Sequence, residues 1–524
     1  MTTTGGRLAT AGATVAVMLL VSRLLGWARV AVLAATFGPG PELDAFYAAF
    51  RIPDLVFQLV AAGSLSSALL PVLGGLLAGD EQARAWRLAS TIANLLLIAM
   101  TVLAAGFAIF APVIVPLLAP GFDPAVQAET VAMTRIMVLS PILLGLSSVA
   151  TAVLNVQGRF AASALAPILY NLGIIAGAVL LTPFFGPRGL AVGVVFGALG
   201  SLAIQAAPLA RLGIRYQRIV DFADPLARRV LVLLAPRTLG QGASQITFLV
   251  VTTLASALGT GAVTEFNFAF TLAQVPMALI GMPLGIVVFP TLVRFLASGA
   301  VDEYAALLTR SLRFLVFLVV PLTALVIVLS GQLVTLVLGF GRLSEADITS
   351  VALTLAALTT GLIGFVANPV LTRAFYAAED TRTPVIAAVG GVAVSVILAP
   401  LLVGPFGLPG IGAAMAIANT LESLGLLVVL TRRGGAIQLA PLGAHLVRVV
   451  VVTVPATLAA LAVHGWFAGR GTGGWGDAFV EAAVTSLVFG GILVVLAFVV
   501  LREQVDALLA ILPGRRGGPP GAAG

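Results

Sequence analysis

The sequence predicts an all-α polytopic membrane protein with about fourteen transmembrane helices. Three observations lead there. Apolar residues make up 60% of the chain and charged residues only 9%, against about 25% charged in a soluble domain. Mean hydropathy is +1.12, a value for which a bilayer, not water, is the fitting solvent. The apolar residues also fall into runs of about 20 or more, long enough to cross a hydrocarbon core.

Taken in order, the runs lie near 9–36, 42–77, 86–118, 127–155, 160–184, 188–210, 228–258, 263–296, 305–338, 347–377, 383–403, 409–431, 443–467 and 478–501. The first follows a short polar start. It is too long for the apolar region of a signal peptide and lacks a small-residue cleavage site, so it reads as a retained helix. Several runs carry internal proline, at Pro53, Pro71, Pro276, Pro283, Pro290 and Pro369. Such helices kink, and the carbonyls they free face a cavity or a neighbouring helix.

Arginine placement tests the count. All 28 basic residues are Arg. With the N-terminus in the cytoplasm, eighteen fall in or beside cytoplasmic segments and only Arg188, Arg342 and Arg470 on the other side. That asymmetry is the positive-inside pattern of fourteen spans with both termini cytoplasmic. The net charge of +7 is therefore a topology signal and implies no nucleic-acid partner.

The halves resemble each other at an offset of about 220 residues. Ala45-Phe46-Tyr47-Ala48-Ala49-Phe50 matches Glu265-Phe266-Asn267-Phe268-Ala269-Phe270, and Gly186-Pro187-Arg188-Gly189-Leu190 matches Gly407-Leu408-Pro409-Gly410-Ile411. The offset spans six helices, an even number, so the halves run the same way as parallel repeats about an axis along the membrane normal, with a substrate site expected between them. This gives an N-lobe over 1–220, a C-lobe over 221–435, two further helices over 436–505 and a disordered cytoplasmic tail over 506–524. Gly193 and Gly197 have the GxxxG spacing of close helix packing.

Composition excludes much chemistry. There is no cysteine and there are two histidines, His445 and His464, so disulfides, thiolate metals, a His cluster and a Ser-His-Asp triad are not expected. Without lysine there is no P-loop and no Schiff base. No catalytic residue, metal site or cofactor is expected.

Seven arginines remain inside the spans: Arg23, Arg29, Arg51, Arg135, Arg237, Arg373 and Arg448. Each costs roughly 2.5–3.5 kcal/mol at a helix centre, so each needs a partner or a role. Arg23 and Arg29 sit six residues apart on the first helix, about 120° apart around its axis, and can flank one cavity without touching. Arg51 follows Asp44 by seven residues, on the same face of the second helix. One reading makes Arg23, Arg29, Asp44 and Arg51 the wall of a cationic cavity for a phosphate or pyrophosphate, which the planar guanidinium fork binds bidentately. The other is a structural ion network, or side chains that snorkel to an interface. Arg237, in Ala235-Pro236-Arg237-Thr238, faces the same cavity or snorkels. Arg135, Arg373 and Arg448 read as structural or interfacial. Asp54 and Glu422 are the carboxylates to weigh for cation coupling, with Glu422 reading better as a helix–helix contact.

Certain stretches resemble the MurJ (MviN) family. They are Ser22-Arg23-Leu24-Leu25-Gly26-Trp27-Ala28-Arg29, then Phe37-Gly38 with Asp44-Ala45-Phe46 and Arg51-Ile52-Pro53, then Ala62-Gly63-Ser64 through Leu70-Pro71. In the second half they are Phe289-Pro290, Arg373-Ala374-Phe375-Tyr376-Ala377, Asp380-Thr381-Arg382-Thr383-Pro384 and the turn at 407–411. The resemblance implies two six-helix lobes about a cationic cavity, with the last two helices forming a lipid-tail groove. It implies a flippase of the bacterial cytoplasmic membrane, not an enzyme, that moves lipid II to the outer leaflet by alternating access coupled to membrane potential or an ion gradient. Membrane lipids and the cell-wall synthesis machinery are the partners it suggests, and a monomer is expected. Carried over by position, the substrate-binding residues are Arg23, Arg29, Asp44 and Arg51, with Arg237 as a compensating cation. The chain departs from the family at Phe57-Gln58, where an Arg pair is common, at Thr271, where Arg is common, and at Ala62, where Glu is common. A flippase for another polyprenyl-linked oligosaccharide, of the O-antigen or capsule type, is the alternative. An ion-coupled antiporter of small molecules is a more distant one.

Overall fold

The computed structural model describes residues 2–60, 64–213, 216–221, 223–434, 439–470 and 474–502, of which 2–16, 19, 59–60, 64, 66–67, 233–244 and 433–434 are described in backbone only. All regular structure among them is helical, as lipid demands of a chain whose backbone groups have no water to bond. The chain divides into two compact units, residues 1–268 with 340–344, and residues 269–339 with 345–524. The expected tail at 506–524 lies outside the described residues, as do Ala62 and Gly63.

The first unit holds α1 (Thr2–Thr36), α2 (Pro41–Val60), α3 (Ser64–Ala78), α4 (Gln82–Leu118), α5 (Pro124–Met137), α6 (Ser140–Val156), α7 (Phe160–Ala176), the short α8 (Thr182–Phe185), α9 (Arg188–Arg211), α10 (Pro225–Ser256) and the start of α11 (Ala262–Pro276). The second holds the rest of α11, α12 (Met282–Ala297), α13 (Val301–Val328), α14 (Ser330–Leu338), α15 (Glu345–Thr359), α16 (Leu362–Ala377), α17 (Arg382–Phe406), α18 (Leu408–Gly434), α19 (Leu439–Ala468) and α20 (Trp475–Val500). The sequence boundary near residue 220 marks the repeat. The contact boundary falls later, because α10 packs with α2, α3 and α4.

Every one of the fourteen expected spans coincides with a helix or a broken helix pair. Among the described residues ten helices are long and apolar enough to cross a membrane, or eleven if α15 and α16, bent by 43°, form one span. The other three expected spans, α1, α2–α3 and α10, each include residues whose placement or side chains are not described. The outer faces are apolar: Val102, Leu117, Phe184, Val287, Leu487 and Val499 are all more than 60% exposed. In water this would be an aggregation surface. In a bilayer it is the solvated one.

Proline flanks the break between α11 and α12. Pro276 ends α11, a π-helical turn runs over Met277–Gly281, and Pro283 opens α12. In α16 the carbonyl of Pro369 accepts a hydrogen bond from the Arg373 guanidinium at 2.9 Å. Arg373 thus turns back along its own helix, half-buried against Gly285.

The repeat is visible in the backbone. Gly186 and Gly407 both end a helix with φ near +60° (59° and 60°), a region that favours glycine. Gly189 then donates to the Gly186 carbonyl at 2.9 Å, and Gly410 to the Gly407 carbonyl at 3.0 Å. After the first turn, α7 and α9 pack backbone to backbone. A Cβ on Gly193 would lie 2.6 Å from Gly177 Cα, and one on Gly197 would lie 2.6 Å from the Tyr170 carbonyl oxygen. The GxxxG reading of Gly193 and Gly197 therefore holds.

In the second unit α19 and α20 latch onto α13 and α14. Val316, Val449, Val452 and Ala497 form an apolar cluster, and His445 bonds the Arg313 carbonyl at 3.0 Å. Glu481, 9% exposed, accepts from Gln332 at 2.7 Å and meets His464 at 2.5 Å.

The close approach of α7 and α9 makes a prediction. Gly193→Val forces the two backbones apart and lowers stability by about 1–3 kcal/mol. Gly200→Ala, whose Cβ would meet only Leu169 Cβ at 3.5 Å, shifts it by less than about 0.5 kcal/mol. Thermal unfolding of the purified variants in detergent separates the two.

Candidate functional site

Several polar side chains of the first unit meet near the middle of α2. Arg51 is half-buried there. Its Nε donates to Thr252 Oγ1 of α10 at 3.2 Å and its Nη2 to Asn267 Oδ1 of α11 at 2.6 Å. Its guanidinium also stacks over the Phe248 ring, 4.9 Å from the centroid, a cation–π contact that strengthens out of water. One turn earlier on α2 is Tyr47, half-buried, its ring edge-on to Phe46 with centroids 5.5 Å apart. The charges of Arg29 on α1 and of Arg51 both act on its hydroxyl. The charges of Arg29 and Asp54, opposite in sign, also reach Tyr170 of α7.

Of the five residues expected at the site, Arg51 is tied to α10 and α11 by side-chain contacts, and Arg29 is half-buried on α1. Arg23 is exposed on α1. The side chain of Arg237 lies outside the described residues. Asp44 is 1% exposed and fully engaged. Its Oδ2 accepts from the Gly261 amide at 2.6 Å, and its Oδ1 accepts from the Thr264 amide at 2.8 Å and the Thr264 hydroxyl at 2.7 Å. Gly261 immediately precedes α11 and Thr264 lies in its first turn, where amides have no partner within their own helix. The negative charge also sits at the positive end of that helix. Asp44 therefore caps α11 from α2, with its carboxylate buried.

A cavity of about 360 Å³ opens beside this cluster, walled by α2, α6, α7 and α9. Asp54, Phe57, Gln58 and Tyr170 line it together with a row of serine and threonine hydroxyls. Asp54 accepts from Gln245 Nε2 at 3.3 Å and also from the Gln58 side chain. Phe57 and Gln58, which stand where the family resemblance puts an arginine pair, thus form part of this wall.

Sequence reasoning missed Tyr47, Thr252, Asn267, Phe248 and Gln245. Asn267 left a signal: it is the one strongly polar residue within the repeated aromatic motif 266–270. The others are indistinguishable in sequence from ordinary residues of apolar helices. Arg135 and Glu422 behave as read. Arg135 donates to the Ala108 carbonyl at 3.0 Å, and Glu422 packs on Gly391 of α17. The Asp380 stretch caps α17. Asp380 accepts from the amides of Arg382 at 2.9 Å and Thr383 at 3.0 Å, and from the Thr383 hydroxyl at 2.6 Å. Among the described residues no group of three or more acidic or histidine side chains could hold a metal.

Comparison with known proteins gives one consistent family. The family model described as lipid II flippase MurJ matches residues 33–473. A probable lipid II flippase MurJ of Rhizobium meliloti (strain 1021) is 33% identical over 466 residues, covering 87% of this chain and 86% of the relative. The lipid II flippase MurJ of Burkholderia cenocepacia is 31% identical, covering 80% and 83%. Among solved structures, a lipid II flippase MurJ in an inward closed conformation aligns with a TM-score of 0.77 at 20% identity, covering 94% of this chain and 99% of that one. An inward-facing multidrug resistance MATE family transporter of the MOP superfamily aligns with a TM-score of 0.63 at 16% identity, covering 78% and 94%. At these identities both structures speak for the fold.

The capping role of Asp44 is open to test. Asp44→Ala leaves the Gly261 and Thr264 amides buried without an acceptor and costs about 1–3 kcal/mol, read as a lowered unfolding midpoint. A carboxylate that served only to touch substrate would leave that midpoint unchanged.

Proposed function

The chain belongs to the lipid II flippase MurJ family, and we propose that it carries lipid II from the inner to the outer leaflet by alternating access. Lipid II is the undecaprenyl-pyrophosphate-linked disaccharide-pentapeptide that supplies peptidoglycan synthesis. The observation that carries this reading is Arg51, a guanidinium within a membrane span held by the neutral side chains of Thr252 and Asn267 and by the Phe248 ring. Flipping makes and breaks no covalent bond. The work of the residues is to replace water around a pyrophosphate and then release it.

Arginine suits the first task. Its fork matches phosphate oxygens, it does not deprotonate, and it is more weakly hydrated than an ammonium. Its attraction for an anion also grows as the effective dielectric falls below that of water. Thr252, Asn267 and Phe248 hold Arg51 in one orientation before substrate arrives, which reduces the entropy lost on binding. Arg23, at the exposed face of α1, is assigned to the first encounter with the head group, and Arg237 to compensation for Phe57, Gln58 and Thr271. Asp44 acts indirectly, by holding the start of α11 and therefore Asn267.

The arginine asymmetry of the loops supports cytoplasmic placement of both termini in the bacterial inner membrane. Family resemblance supports a monomer that works beside the cell-wall synthesis machinery, as a transporter without catalysis, coupled to membrane potential or an ion gradient. Phe57, Gln58 and Thr271 favour one second reading, transport of another polyprenyl-linked oligosaccharide, because they remove cations that a pyrophosphate site in this family commonly has.

The test is rescue of a bacterium whose own lipid II flippase is shut off. The wild-type chain is expected to restore growth. Arg29→Ala and Arg51→Ala each abolish rescue at equal protein level, and Arg51→Lys, which keeps the charge without the fork, restores part of it. Rescue that survives both alanine changes refutes the assigned role of the cluster. A wild-type chain that is inserted and abundant yet cannot rescue shifts the assignment to the second reading. Loss of rescue with Arg23→Ala but not with Arg237→Ala removes Arg237 from the site.

A further inference from the structure

The cavity between α2, α6, α7 and α9 has a one-sided hydrogen-bonding wall. Thr151 Oγ1 donates to Gln205 Oε1 at 3.0 Å, Ser163 Oγ to Asn155 Oδ1 at 2.8 Å, and Ser201 Oγ to the Ala166 carbonyl at 2.7 Å. A hydroxyl has one hydrogen and two lone pairs. With their hydrogens committed to the protein, these three lining side chains offer the cavity acceptors only. Asp54 adds to them. Gln245 and Gln58 donate to its carboxylate and hold it in place, and two carboxylate oxygens can accept more bonds than these amides use. The rings of Phe57 and Tyr170 line the same space and give it an apolar face.

A wall of acceptors calls for a ligand rich in donors. A pyrophosphate diester has none, and it would face a like charge at Asp54. A polyprenyl chain has none either. A sugar ring carries hydroxyl donors around its edge and presents C–H groups on its faces, where an aromatic ring can lie. The volume of about 360 Å³ is at the small end of ligand sites, which run from about 300 to 1,000 Å³. Position agrees with chemistry. Asp54 follows Arg51 by three residues, a rise of about 4.5 Å along α2. In a polyprenyl-pyrophosphate-linked saccharide the first sugar is bonded directly to the pyrophosphate. A pyrophosphate held at Arg51 therefore brings its sugar within reach of this wall.

We propose that this cavity is a saccharide subsite, in which Asp54, Thr151, Ser163 and Ser201 accept hydrogen bonds from the hydroxyl and acetamido N–H groups of the sugar next to the pyrophosphate. Bonds to the carboxylate are the strong ones, because the acceptor is charged. A site built to bond a hydroxyl also rejects an analogue that lacks it, since its own buried polar groups are then left unpaired. The subsite thus favours the sugar-bearing lipid over the bare polyprenyl pyrophosphate that remains once the sugar has been transferred. The proposal rests on the flippase reading for the source of its ligand.

The test measures binding of two synthetic lipids to the full chain in nanodiscs: undecaprenyl pyrophosphate, and the same lipid carrying one N-acetylglucosamine on its pyrophosphate. The readout is the ratio of their apparent affinities. In the wild type the sugar is expected to tighten binding by about tenfold or more. Asp54→Asn brings the ratio close to one without weakening the sugar-free lipid, and Thr151→Val and Ser201→Ala each lower it in part. Arg51→Ala, by contrast, weakens both lipids. If Asp54→Asn does not fold, the double variant Thr151→Val with Ser201→Ala serves in its place with the same expectation. A wild-type ratio near one overturns the subsite. So does an Asp54→Asn chain that loses both lipids equally, the mark of a purely structural carboxylate. Growth rescue measured alongside separates the two readings: failed rescue by the wild type with the ratio intact counts against the flippase assignment and leaves the subsite standing, and rescue with a ratio near one does the reverse.

Discussion

A backbone amide in hydrocarbon must find its partner inside the chain, because lipid offers none. The breaks in this fold are handled under that constraint. Pro276 and Pro283 bracket a π-helical turn, and the Ala108 carbonyl, which Pro112 leaves without a donor, is met by Arg135. The amides that open α11 are met by Asp44, a residue 217 to 220 positions away in sequence. A buried carboxylate at a helix N-terminus satisfies the orphan donors and the helix dipole together. That capping contact fixes where α11 begins. It also sets the position of Asn267, three residues beyond Thr264, and Asn267 accepts from Arg51.

The same constraint sorts the arginines. Arg135 and Arg373 meet backbone carbonyls; the Ala108 carbonyl that Arg135 meets is one the helix leaves open, because Pro112 four residues on has no N–H. Arg51 is held by neutral side chains and an aromatic face, which position the guanidinium without cancelling its charge. That difference, neutral partners instead of a carboxylate, separates an arginine available to an anion from one absorbed into an ion pair. Within the same lobe Asp54 is held by amides in a hydroxyl-lined cavity. The lobe thus keeps a positive and a negative group one turn apart on α2, each tied to neutral partners.

Duplication explains why local geometry recurs. The turns at Gly186 and Gly407 share their positive φ and the glycine three residues later, where a Cβ would strike Thr182 in one half and Leu402 in the other. Beyond the turn the halves diverge. Glycines bring α7 against α9, whereas in the second unit Gly361 and Gly364 bring α16 against α18. The second unit also carries the α19–α20 pair, latched through Glu481, Gln332 and His464.

The sequence by itself determined the span count, the repeat, the glycine packing of Gly193 and Gly197 and the family. These rest on apolar run length, backbone conformation and motif spacing, all local properties that a linear string displays. It also brought Arg29 and Arg51 into view, because charges stand out in an apolar background. Tertiary structure alone decided what those charges meet. Asp44 and Arg51 share a helical face in sequence, yet one is sealed against α11 and the other is held open by α10 and α11. Phe57 and Gln58, absences when judged as missing arginines, become the wall of a cavity around Asp54. Each of these outcomes depends on partners about 190 to 220 residues distant. Helical periodicity says which way a side chain faces. It does not say what lies opposite.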